Sequence, residues 1–145
     1  VPRRATAWVA RVAYGENYVA HPMRHSLRVG PLEGRSSVSY GWKRSGAWEG
    51  LSLEFSGEPE RPADDSEEAF ISEHYRGYAR QADGGSIEYR VEHPRWNVWR
   101  AQRARLECDV AALYGREFAG ALRDRPSSAF LADGSPVVVR RGRRL

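Results

Sequence analysis

Cysteine, lysine and methionine each occur once in these 145 residues, as Cys108, Lys43 and Met23. A single cysteine excludes an internal disulfide and any multi-cysteine zinc or iron–sulfur centre. Cys108 follows Leu106 at strand spacing, so it reads as a small hydrophobe rather than a nucleophile. Long apolar runs are missing too. Every apolar stretch is broken by Arg or Gly well short of the ~20 residues that a membrane-spanning helix needs, so no membrane partner is expected. The opening Val1-Pro2-Arg3-Arg4 is not followed by a long apolar region and a small-residue cleavage site, so a secretory signal is not expected and the location is read as cytoplasmic. Gly84-Gly85 precedes a strand pattern, whereas phosphate-binding loops open a helix, and no serine stands in a nucleophile-elbow pattern. No complete catalytic motif remains, and neither a cofactor nor a metal is implied.

What is abundant is large apolar surface and arginine. Hydrophobic residues make up 41% of the chain and aromatics 11%, including five Trp and seven Tyr, too much for a disordered segment. Residues 1–145 are the size of one domain, which would bury roughly 70% of its unfolded surface. The net charge is +4, and Arg140, Arg141, Arg143 and Arg144 account for all of it; the rest balances 19 basic against 19 acidic residues. A neutral body gives no reason to expect nucleic acid as a partner, and 140–145 reads as a basic, solvated tail.

The periodicities predict an α+β fold with mainly antiparallel strands and about three helices. Trp8, Val9, Val12 and Ala13 recur at helical spacing before Gly15. Alternation then takes over from residue 17 to 29, with a bend at Pro22. Val38, Tyr40 and Trp42, the turn Arg44-Ser45-Gly46, and Trp48 to Phe55 make a hairpin, with a phase slip that predicts a bulge. Residues 56–65 carry Pro, Gly and four carboxylates and read as an exposed loop. Asp65 with Glu68 opens a second helix whose stripe is Phe70, Ile71, Tyr75 and Tyr78, ending near Arg80. A strand follows from Ile87 to His93, then an extended stretch from Trp96 to Glu107. Asp109 caps a third helix carrying Val110, Leu113, Tyr114, Phe118, Ala121 and Leu122. Asp133-Gly134 predicts a closing hairpin between 128–132 and 137–141.

Histidine supplies the candidate chemistry. Period two puts His21 and His25 on the side of Val19, Met23 and Leu27, and His93 continues the apolar side of its strand. Residues four apart on a strand lie about 13 Å from each other, too far for His21 and His25 to share one metal ion. His25 and His93 are the candidates for acid–base work or substrate anchoring, against the alternative that each is a core imidazole satisfied by a carbonyl or tyrosine. Arg24, a natural carboxylate fork, points away from the histidines on plain alternation. Tyr75, Trp96 and Trp99 could line a pocket, or pack as ordinary core.

Taken in order, Tyr14-Gly15-Glu16-Asn17-Tyr18, His21-Pro22-Met23-Arg24-His25, Glu73-His74-Tyr75-Arg76-Gly77-Tyr78 and Val91-Glu92-His93-Pro94-Arg95-Trp96 resemble the YqjF-like family of uncharacterised bacterial proteins. That resemblance implies that residues 1–145 are the C-terminal two-thirds of such a domain, truncated at the N-terminus, with self-association through exposed sheet edges. It also implies an acetoacetate decarboxylase-like architecture, a curved antiparallel sheet around a cavity. The decarboxylase works through a Schiff-base lysine beside a second lysine, and Lys43 stands alone at a hairpin turn, so that activity does not carry over. The functional expectation is a domain that binds a small molecule in a sheet-walled cavity with His25, His93, Arg24, Tyr75 and Trp96 as its candidate residues. The competing expectation is a non-catalytic structural or interaction domain.

Overall fold

The computed structural model describes residues 3–16, 18–31, 34–122 and 124–145. In chain order its elements are α1 (Arg3–Tyr14), β1 (Met23–Arg28), β2 (Ser36–Arg44), β3 (Ala47–Phe55), α2 (Glu67–Ser72), β4 (Arg76–Arg80) and β5 (Ser86–Glu92). Then come β6 (Val98–Arg100), β7 (Arg103–Glu107), α3 (Val110–Tyr114), β8 (Phe130–Ala132), β9 (Val138–Val139) and β10 (Arg143–Arg144). The fold is α+β, with antiparallel pairing throughout the described strands. The antiparallel pairing is spread over several sheets, divided between two compact units. One unit comprises residues 1–20, 62–96 and 134–145; the other comprises 21–61 and 97–133.

In the 21–61/97–133 unit the sheet order is β1-β2-β3-β7, and β6 pairs separately with β8. The β2–β3 ladder runs unbroken from Ser36↔Phe55 to Arg44↔Ala47, so the bulge expected there is absent. Both turn residues have positive φ, 48° at Ser45 and 88° at Gly46, and this mirror-image turn matches the strand twist without a slipped register. Val38, Phe55 and Val98 are the buried large side chains of this unit. The strand expected from residue 17 begins only at Met23, where β1 pairs with Trp42 of β2; Asn17 lies outside the described residues.

The third helix is shorter than its apolar stripe. Asp109 caps it as expected, its side chain accepting from the Ala112 amide at 3.0 Å, but Gly115 at φ 112° and ψ 154° leaves helical space, and only a short 3-10 turn, Arg116–Phe118, follows. Leu113, Tyr114 and Phe118 therefore do not share one continuous helical face.

In the other unit β5 is central, with β4 on one side and β9 and β10 on the other. The second helix is capped by Ser66 rather than Asp65, the Ser66 hydroxyl accepting from the Ala69 amide at 3.1 Å, and it stops at Ser72. Arg76–Arg80, expected to be helical, is strand instead. Gly77 faces Tyr89 across the β4–β5 pair, and a side chain there would strike the Tyr89 ring, so a poor helix former is used as the floor for an aromatic. Tyr89 also donates to Glu16 at 2.7 Å, which pushes its own pKa up to about 12.

The hairpin expected about Asp133-Gly134 does not form. Its two strands take other partners, β8 on β6 and β9 on β5. Nor is 140–145 a solvated tail: β10 pairs with Ile87 and Glu88, and Arg140, Arg143 and Arg144 form ion pairs with Glu92, Glu88 and Asp83. The register advances by one residue between Val91↔Val139 and Glu88↔Arg143, so the bulge of this fold lies at 140–142, opposite Tyr89.

Candidate functional site

Directly opposed residues of an antiparallel sheet share a face, so the β1-β2-β3-β7 registers define its two sides. One side carries the row His25, Tyr40, Leu51, Leu106 and beside it the row Leu27, Val38, Leu53, Ala104. Much of this side remains open: Leu27 is 56% exposed, Tyr40 41% and Leu106 42%. At its β1–β2 end, β6 and β8 stand beside the sheet and enclose a recess of about 610 Å³. Leu27, Val38, Phe55 and Leu131 give the recess its apolar walls, and His25, Tyr40 and Trp99 add rings. The His25 and Tyr40 rings stack with centroids 6.3 Å apart, while Phe55 and Trp99 meet at 5.6 Å with a 49° tilt. Trp99 is held by its indole N–H donating to the Gly57 carbonyl at 3.0 Å.

The carboxylates of the recess come from segments that periodicity cannot place. Glu58 lies in the loop after β3, and Asp133 just beyond β8. Asp133 is anchored through its amide to the Asn97 carbonyl at 3.0 Å and through its carboxylate to the Asn97 side chain at 3.2 Å. Neither Glu58 nor the His25 ring has a hydrogen-bond or ion-pair partner among the described residues.

Arg24 is on the opposite side of the sheet, as alternation predicts, with its guanidinium carbon 4.3 Å above the Trp48 ring. A cation in that position is attracted by the ring's negative face. Lys43, paired with Trp48, is on the same polar side and does not line the recess. Cys108 is half-buried, and burial followed by the nearby Glu49 charge raises its thiol pKa, which suppresses the thiolate.

The other three candidate residues meet in the unit of residues 1–20, 62–96 and 134–145. His93 lies between Trp96, stacked at 4.1 Å, and Tyr75, at 5.0 Å. The donors are occupied: His93 Nδ1–H donates to the Pro94 carbonyl at 2.9 Å, Trp96 donates to Ser135 at 2.8 Å, and the Tyr75 hydroxyl donates to Glu73. Arg95 follows on, 2.8 Å from Asp64 and 3.5 Å from Glu73. Tyr75, His93 and Trp96 thus meet one another, whereas the expectation had set them together with His25 and Arg24 in one cavity. Tyr40 and Phe55 were legible only as hairpin residues, and Glu58 and Asp133 carried no signal.

Among the described residues no helix is long and apolar enough to cross a membrane. What the fold and recess define is an α+β chain with a half-open apolar hollow. Residues 1–136 match the DUF2071 family, described as "Uncharacterized conserved protein (COG2071)", and the chain belongs to that family. The match is consistent with the YqjF-like character of its histidine segments. No curated protein and no solved structure matches the chain.

Proposed function

We propose that this chain is a small-molecule-binding domain whose ligand occupies the recess against the apolar face of β1 and β2. The observation that carries this reading is the recess itself, whose volume of about 610 Å³ falls in the range usual for ligand sites. Its lining has the usual composition as well, apolar walls with a few polar groups that can orient a guest. His25 is the group we assign to contact the ligand's polar end, with Tyr40 stacked behind it. A cavity beside an antiparallel sheet is also what the acetoacetate decarboxylase-like resemblance implies, although a Schiff base is not part of this proposal because Lys43 lies elsewhere. We treat the Trp96–His93–Tyr75 stack as structural, since its ring N–H and hydroxyl groups are already spent on protein acceptors.

The test is a thermal-shift screen of small amphipathic molecules against the chain and two variants. Leu27→Trp fills the recess from an already exposed position, and Ser26→Ala alters the neighbouring residue on the other side of the sheet. Saturable stabilisation should vanish in Leu27→Trp and persist in Ser26→Ala. A ligand whose stabilisation survives Leu27→Trp unchanged would place binding elsewhere and overturn the reading.

A further inference from the structure

The chain carries 23 arginines and lysines, yet none is among the described residues that line the recess. The two formally charged side chains that do line it, Glu58 and Asp133, are both carboxylates. Several carboxylates elsewhere are matched by arginine: Glu49 by Arg44, Glu88 by Arg76 and Arg143, Glu92 by Arg140, and Asp83 by Arg144. Glu58 has no such partner among the described residues, and Asp133 has only the neutral amide of Asn97.

The walls have a second property that fits the same sign of charge. Tyr40, Phe55 and Trp99 present aromatic rings to the recess, and of these Phe55 is buried while Tyr40 and Trp99 remain part exposed. Ring faces are electronegative, and Trp is the strongest cation acceptor of the three. Trp99 is pre-positioned by its bond to Gly57, so little ordering of the indole accompanies binding. Aromatic faces next to two carboxylates, with no competing arginine or lysine, form a complement to an organic cation. They oppose an anion, whose charge would meet both carboxylates.

We infer that the recess selects an organic ammonium ion, an alkylamine or quaternary ammonium with a short apolar body, over neutral or carboxylate analogues of the same size. This rests on the recess being the ligand site and adds the chemical class of the guest. The body would lie on Leu27, Val38 and Leu131, and the cationic head against Trp99 between Glu58 and Asp133.

The experiment is isothermal titration of the full chain with hexyltrimethylammonium, hexanol and hexanoate, repeated on the Glu58→Gln/Asp133→Asn double variant. Glu58 is exposed, and the Asp133→Asn change keeps an oxygen acceptor for the Asn97 amide, so the fold should be retained; circular dichroism checks it. Hexyltrimethylammonium is expected to bind about tenfold or more tighter than hexanol, with hexanoate weakest, and the double variant should reduce the cation's advantage to about threefold or less. Equal binding of all three compounds would overturn the ammonium inference and leave the recess reading standing. A cation preference unchanged in the double variant would remove Glu58 and Asp133 from it, overturning the inference as stated. Failure of all three to bind, together with no ligand-induced stabilisation in the thermal screen, would take down the recess reading and the inference with it.

Discussion

On one side of β1-β2-β3-β7 the cross-strand rows read His25, Tyr40, Leu51, Leu106 and Leu27, Val38, Leu53, Ala104; on the other they read Ser26, Ser39, Ser52, Arg105 and Arg24, Gly41, Gly50, Glu107. The same four strands thus alternate between large apolar groups and small or charged ones. On the polar side the charges are managed pairwise in water, as in Arg35–Glu54 at 3.3 Å and Arg105–Glu107 at 2.7 Å, arrangements that add little stability but keep the surface wet. On the apolar side the single carboxylate of the next row, Glu49, is held by the Trp42 indole at 2.7 Å and the Arg44 guanidinium at 2.6 Å. Glu49 and Arg44 are thus paired on a face that is otherwise apolar and part open to solvent.

The sharpest contrast between the sides should come from Phe55, 4% exposed, against Ser52 on the other face. Phe55→Ala is expected to cost about 3–5 kcal/mol in urea unfolding, since it empties packed volume, whereas Ser52→Ala should stay within about 0.5 kcal/mol. Equal effects would mean that the two faces do not differ in packing.

Glu49 gives the next test. The Arg44 hydrogen bond, helped by Trp42 and the Asp109 amide, lowers its carboxyl from the ordinary 4.5 to about 2. A folded-state value below the unfolded one stabilises the charged form, so the contribution is complete above about pH 4.5 and is lost as pH falls toward 2. Melting temperature should fall through that window, and in Glu49→Gln that part of the fall should flatten. An identical acid profile in the variant would remove Glu49 as a cause.

The smallest effect belongs to Arg24. Its stacking on the exposed Trp48 ring is worth about 0.5–1 kcal/mol, to be read from a double-mutant cycle of Arg24→Ala and Trp48→Ala. A coupling of zero would make Arg24 simply another solvated charge.

Much of this sheet could be read from the letters because its cues are local. Alternation marked Tyr40 and Trp42, and Ser45-Gly46 marked the turn, although the unbroken β2–β3 register lacks the bulge that alternation in β3 suggested. Alternation alone also separated His25 from Arg24. The failures occurred where a distant partner decided the outcome. Phe70, Ile71, Tyr75 and Tyr78 fit a helical stripe, but pairing with β5 and the seat that Gly77 gives Tyr89 made the later part a strand. Asp133-Gly134 has the composition of a hairpin turn, but β8 and β9 each found a better-matched neighbour elsewhere. The recess was legible to the extent of His25 and the ambivalent Trp99. Glu58 and Asp133 were not, since loops and strand ends have no period from which a direction can be inferred.

The segment at residues 138–144 also bears on the order in which the chain folds. The β1–β2–β3 meander lies within residues 23–55 and joins neighbours in sequence, so it can form as soon as that stretch has been synthesised. The sheet around β5 needs a strand made some fifty residues later to cover its second side, and until then β5 offers its backbone to any passing strand. The arginines there hold the late strand in place once it arrives, through Glu92, Glu88 and Asp83. Closure of the β5 sheet is therefore a late, long-range event, and the interval before it is when the chain is most exposed to mispairing.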